Sequence, residues 1–304
     1  MPCFRMGLAV ALLLSGAGTH AATPAAASAL PSLDATSVLL VVAPHPDDET
    51  LCCAGAIQRV LHAGGRVSIV WLTSGDGSPL GSLVIEHSLL ADPVRMRAYG
   101  RQRMAEARAA AARLGVTPAG QLFLGYPDGG LPALLTQYRG HPYASRFTGA
   151  AAVPYSGALF PQHPYTGAAL ERDFVAVIRR VQPTLILAPS PLDSHPDHHA
   201  AGLLTMASVP QRAAELVRYW IVHGGEGWPT PRGLLPGVPL TPPPLGASLD
   251  LTAFALSVPE EDTKLAAVRQ YGTQLRVMAP FLLAFVRTTE LFATRAGVAM
   301  PNEP

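Results

Sequence analysis

Two short stretches hold the residue types of hydrolytic chemistry. His45-Pro46-Asp47-Asp48-Glu49 crowds an imidazole and three acids into five positions, and His195-Pro196-Asp197-His198 repeats the theme much later in the chain. At the opening of a helix, positions i and i+3 point in neighbouring directions, so His45 and Asp48 can converge on one centre while Pro46 stiffens the turn between them. His195 and His198 have the same spacing. An imidazole and a carboxylate from the first loop, with an imidazole from the second, supply three protein ligands and leave a position for water. That is the catalytic arrangement for zinc.

Such residues need a frame that brings distant loops together. Residues 37–43 form a continuous apolar run, as in a parallel strand buried on both faces, and a helical pattern follows from about Thr50 to His62. Strands are expected within 66–78, 121–131, 184–190 and 218–224, and helices over 94–116 (stopped by Gly115), 170–181, to about Ser208, from Ser257, and over about 280–295. Ser257 three residues before Glu260 suggests a capping box. Residues 132–168 read as an insertion over one edge of the sheet, and 225–248 as a Pro/Gly loop. Alternating strand and helix predict an α/β fold: a Rossmann-like doubly wound, mainly parallel sheet with helices on both faces. Ligands of such sheets bind beyond the carboxyl ends of the strands, where the loops bearing His45, Asp76, Asp128 and His195 would gather.

On these motifs the chain resembles the PIG-L/LmbE-like family of zinc-dependent N-acetylglucosaminyl deacetylases. A strand ending in His-Pro-Asp-Asp-Glu and a later His-Pro-Asp-His carry the likeness. Thr73-Ser74-Gly75-Asp76-Gly77, Arg103 with Glu106, Tyr126-Pro127-Asp128-Gly129, and Lys264 with Tyr271 and Gln274 add to it, over about residues 37–290. The resemblance implies one Zn2+ on His45, Asp48 and His198; two imidazoles and a carboxylate also suit another divalent metal such as Fe2+. It implies Asp47 as general base, His195 as acid and oxyanion partner, and Arg103 and Asp128 as substrate-binding residues. Amide hydrolysis needs what these groups offer: an activated water, a polarised carbonyl and a proton for the departing amine. A His195 pKa near neutrality would suit the last task. Glu49 reads as an organiser of the helix start, where a carboxylate meets free N–H groups. Asp197 has two readings, holding a ligand histidine or capping the helix after it. Some relatives have an aromatic hydroxyl just before the second motif; here Asp193-Ser194 stand there.

The first residues combine Arg5, an apolar run from Met6 to Leu14 and small residues up to Ala22, the plan of a secretory signal peptide. The expected organisation is a signal peptide at 1–22, a disordered spacer at 23–35 and one deacetylase domain at 36–304, exported to the periplasm or secreted. No membrane span is expected in the mature chain. Cleavage would leave 21 basic against 21 acidic residues, a poor balance for binding nucleic acid. Cys52 and Cys53 read as small buried residues rather than a disulfide, because neighbours join only with strain. Trp220, Trp228 and Tyr165 could stack on a sugar but suit core packing too.

The partner expected from the resemblance is an N-acetylated sugar or glycan, and oligomeric state is open. Two further readings stay open: a zinc-binding envelope protein without catalysis, and an amidohydrolase for another N-acyl group. The first has no need of Asp47 and His195. A non-haem iron site on an antiparallel barrel does not fit the strand-helix alternation.

Overall fold

The computed structural model describes residues 30–78 and 92–299, together with Met1. The signal-peptide segment, apart from Met1, and residues 23–29 lie outside the described residues. Within the expected spacer, residues 30–35 are placed, and Leu30 is buried in the core cluster. The folded part thus begins upstream of residue 36. Among the described residues, no helix is long and apolar enough to cross a membrane.

Five parallel strands make the central sheet: β1 (Val38–Ala43), β2 (Arg66–Thr73), β3 (Gln121–Tyr126), β4 (Leu185–Pro189) and β5 (Val217–Trp220), in the order β3-β2-β1-β4-β5. Every residue of β1 is buried. Strands covered on both faces can be continuously apolar, and Val38-Leu39-Leu40-Val41-Val42-Ala43 is such a run. The helices are α1 (Asp48–His62), α2 (Pro93–Arg113), α3 (Leu131–Leu135), α4 (Gly167–Val181), α5 (Pro196–Ser208), α6 (Val258–Val268) and α7 (Gly272–Leu283).

Local chemistry sets the helix ends. Asp92 accepts the Val94 N–H at the start of α2, with Pro93 at the first helical position. Gly115 ends it with φ +91°, a left-handed conformation that costs glycine little. The Ser257–Glu260 capping box opens α6 as expected. The insertion covers the open edge of β3, where the Leu159 N–H donates to Phe123 O at 2.7 Å.

The C-terminal part differs from expectation. In place of a helix over about 280–295, α7 ends at Leu283 and a strand, β7 (Thr289–Phe292), pairs antiparallel with β6 (Thr252–Ala255). Pro280 lies inside α7, and the backbone leaves helical geometry at Met278 (φ −141°, ψ 36°). Proline cannot donate to the helical ladder and crowds the preceding turn, so the apolar run does not continue as one helix. A second difference is the disulfide joining Cys52 to Cys53 within α1. A bridge between neighbours closes almost no loop, so it does not staple distant parts of the fold.

Candidate active site

The Asp47-to-Asp48 step creates the site. Asp47 precedes α1 with φ 126° and ψ −33°, a left-handed conformation rare for a residue with a side chain. Its neighbours hold it there. Arg103 Nη2 donates to Pro46 O at 2.6 Å and to Asp47 Oδ2 at 3.1 Å, while Arg103 Nη1 donates to Gly75 O at 3.1 Å. At Gly75 (φ +65°) a Cβ would stand 2.1 Å from Arg103 Nη1, so only glycine lets the guanidinium through. Beneath this turn the fully buried Glu49 carboxylate accepts from the Asp47 N–H at 3.2 Å, Thr50 Oγ1 at 2.7 Å, Trp71 Nε1 at 2.9 Å and the Tyr271 hydroxyl. Glu49 organises the helix start, as its position suggested.

His45 Nδ1, Asp48 Oδ2 and His198 Nε2 form a near-equilateral triangle with sides of 3.4, 3.2 and 3.2 Å. Tetrahedral ligands at zinc-like bond lengths of about 2.0–2.1 Å stand about 3.3 Å apart. The triangle therefore fits a divalent cation with one face open. The other ring nitrogen of each histidine is occupied. His45 Nε2 lies 3.2 Å from Asp197 Oδ2 and 3.3 Å from Asp128 Oδ1, and His198 Nδ1 lies 3.1 Å from Asp193 Oδ2. Such outer carboxylates fix the rings and raise their basicity toward a cation.

Asp197 thus holds a ligand-type histidine; it also accepts from Gly129 N at 2.7 Å and Leu131 N at 3.1 Å. Asp193, standing before the second motif, collects the N–H groups of His195, Val222 and His223 besides His198.

The electrostatics follow from this crowding. Burial works against charging His45, yet Asp128, Asp197 and Asp48 raise its pKa well above the ordinary value. Burial likewise opposes His198, and Asp193 and Asp48 carry it to about 9. The pocket is built to hold positive charge. Burial pushes Asp47 up to about 7 against the pull of Arg103, with the nearby Asp48 charge adding to the rise. His195 departs from expectation. Burial and the neighbouring imidazoles of His45 and His198 hold its pKa far below neutrality. Its Nδ1 accepts the Asp197 N–H at 3.2 Å, so in the neutral ring Nε2 carries the proton.

A cavity of about 250 Å³ includes His45, Asp47, Asp48, Arg103, Asp128 and His195 in its lining. His198 lies beneath it, fully buried against Trp220. All seven residues singled out in the sequence therefore meet at the carboxyl edge of the sheet. Arg103 is 4% exposed, not solvated, and both it and Asp128 are already engaged with the His45–Asp48 turn. His223 belongs to neither motif. Its ring centroid lies 4.8 Å from that of His198 and 5.0 Å from that of His195. Its place just past β5, on the edge shared by the other loops, was the available signal. His141 and His163 stay outside; His163 Nδ1 pairs with Asp173 at 2.9 Å. Trp220, Trp228 and Tyr165 are buried packing residues.

Residues 40–209 match the family model described as PIG-L, GlcNAc-PI de-N-acetylase. Over 312 aligned positions the chain is 30% identical to the 1D-myo-inositol 2-acetamido-2-deoxy-alpha-D-glucopyranoside deacetylase of Tsukamurella paurometabola, covering 88% of this chain and 95% of the relative. The enzyme of the same name from Nakamurella multipartita is 29% identical, with 89% and 93% covered. In fold, the chain is similar to N,N'-diacetylchitobiose deacetylase from Pyrococcus horikoshii, at TM-score 0.51 and 19% identity over 85% of this chain and 84% of that one. It is similar at the same score to the 4-carboxy-2-hydroxymuconate hydratase of Pseudomonas putida, at 18% identity over 81% and 83%.

The chain belongs to the PIG-L family of de-N-acetylases, enzymes that hydrolyse amides with a metal ion. The hydratase shares the fold, so the fold alone does not set the reaction and the site residues do.

Proposed function

We propose that this chain is an exported, zinc-dependent hydrolase that removes the N-acetyl group from N-acetylglucosamine-type sugars or glycoconjugates. The observation that carries the reading is the ligand triangle with a carboxylate, Asp47, beside it and outside it. The relatives' names supply the substrate class, a 2-acetamido sugar on an aglycone. The amino-terminal pattern supports export, which favours an envelope glycan, an exopolysaccharide or a scavenged glycoconjugate over a cytosolic metabolite.

His45, Asp48 and His198 would hold the ion, which supplies Lewis acidity toward water and the acyl oxygen. Asp47, steered by Arg103, takes the proton of the attacking water. His195, neutral with its proton on Nε2, presents that N–H toward the developing oxyanion. The proton that Asp47 took from the water passes to the departing amine, and acetate and a free amino sugar leave. Asp197, Asp128 and Asp193 keep the two ligand rings in place.

The test is acetate release from N-acetylglucosamine and N-acetylated glycans by metal-stripped and zinc-reloaded protein, with Asp47→Asn alongside. Zinc-dependent release that falls by about 10²–10⁴-fold in the variant is expected. Release indifferent to zinc, or equal in Asp47→Asn, would overturn the reading. Amino-terminal sequencing of the mature protein from culture fractions tests export; a chain beginning at Met1 would refute it.

A further inference from the structure

The cavity has two unlike flanks, and the strand order explains why. His45 follows the central strand β1. Toward β2 and β3 the lining is polar: Gly77 and Asp128 from the loops after those strands, with Arg103 from α2. Toward β5 it is largely apolar and aromatic: Val222 and His223 from the loop after that strand, with Met278 and Phe281 from α7, whose Gln274 turns its amide nitrogen to the Tyr99 hydroxyl at 2.7 Å.

This second flank is firmly built. Asp193 Oδ2 accepts from the N–H groups of Val222 at 2.8 Å and His223 at 2.9 Å, and Ser194 donates twice to His223 O, at 3.1 and 2.9 Å. The same carboxylate oxygen contacts His198, so the wall is tied to the ligand triangle. The His223 ring stacks on Phe281 at 5.5 Å and 17°. Arg232 lies 4.8 Å from the Phe281 centroid, and Phe285 meets that ring edge-on at 5.2 Å. An aromatic side chain held on three sides offers a fixed surface at small entropic cost.

A scissile amide also has two unlike sides. The amine side of an amino sugar bears hydroxyls, which suit the Arg103–Asp128 flank. Beyond its carbonyl the acyl side bears only carbon and hydrogen, and with the sugar on the Arg103–Asp128 flank it runs toward the opposite one. We propose that the wall of Val222, His223, Met278 and Phe281 is the acyl-side specificity surface, and that it accepts straight-chain N-acyl groups longer than acetyl. Several apolar side chains present more surface than a single methyl covers. The inference rests on the N-deacylation reading above; water adds across the amide in each case, giving a carboxylic acid and the free amine.

The experiment measures kcat/KM for amine release from N-acetyl-, N-propionyl-, N-butyryl- and N-hexanoyl-glucosamine by the zinc-loaded full chain, with Phe281→Ala and Phe281→Trp. In the unsubstituted protein, butyryl should be cleaved within about tenfold of acetyl, since a fitted methylene changes discrimination by roughly that factor. Phe281→Ala should raise the hexanoyl-to-acetyl ratio about tenfold, and Phe281→Trp should lower it by a similar factor. A loss of folded protein cannot move that ratio in opposite directions. Turnover of acetyl with the ratio unmoved by both variants overturns the assignment. An equal loss for every chain length also overturns it, because the wall would then hold the sugar. No amine from any substrate overturns the deacylation reading itself.

Discussion

Asp193→Asn is a small change in volume at a position where four donors meet. Oδ2 receives His198 Nδ1 at 3.1 Å, Val222 N at 2.8 Å and His223 N at 2.9 Å, while Oδ1 receives His195 N at 2.9 Å. An amide has one oxygen. If that oxygen takes the Oδ2 place, its NH2 faces the His195 N–H, a mismatch worth about 1–3 kcal/mol in a site 3% exposed. His198 also loses its anionic partner, and the loss of such an outer carboxylate weakens metal binding by about 10–100-fold, or roughly 1.4–2.7 kcal/mol. Zinc competition against a chromophoric chelator should show that weakening while circular dichroism stays native. Asp193→Ala orphans all four donors and should cost about 4 kcal/mol in urea unfolding as well, at about 1 kcal/mol per lost hydrogen bond. Folded Asp193→Asn protein that binds zinc as tightly as the unsubstituted chain would refute the claim that this carboxylate sets the ligand ring.

Asp76 titrates against the fold. Burial, with the Asp128 charge, raises it from 3.8 to about 7. The folded state therefore binds more protons than the unfolded state between those values, so stability falls as pH rises from about 4 to 7. Asp76→Asn should remove that slope and gain about 1–3 kcal/mol at pH 8 in urea melts; an unchanged pH profile would contradict it. Lys264 and Glu290 form a buried pair at 2.9 Å, and Lys264 Nζ also donates to Leu51 O at 2.8 Å. Lys264→Met should cost about 3–5 kcal/mol, with much of the loss recovered in a double variant carrying Glu290→Leu. Additive losses in the two single variants would show that the residues do not act as a pair.

The motifs were legible because their chemistry is local. A strand run ending in His45-Pro46-Asp47-Asp48 fixes the i, i+3 geometry within four residues, and the parallel frame follows from buried runs such as Val38–Ala43. Arg103 could have been placed inward from spacing alone: the buried residues Met96, Tyr99, Gly100, Arg103, Met104 and Ala107 trace one stripe of α2. Asp193 and His223 were harder. Each acts through partners on another strand's loop, and residue type alone says nothing about which backbone N–H a carboxylate will meet. The β6–β7 pair escaped for a similar reason. Four residues per strand give too short an alternation to read, and the apolar run from Pro280 onward looks helical until the proline's missing donor is weighed. The low pKa of His195 depends on three other imidazoles, His45, His198 and His223, whose nearness no linear pattern reveals.

Lys264 is the chain's one lysine, and its side chain is fully buried. Its ε-amine is thus closed to acylating and cross-linking reagents while α6 stays docked on α1 and β7. Every other cationic side chain is an arginine or a histidine, so no second ε-amine competes for the reagent. Amine labelling at this position, read by mass spectrometry after a short pulse, becomes a clock for the opening of the C-terminal layer. It needs no engineered probe, and its background is limited to the chain's α-amino group.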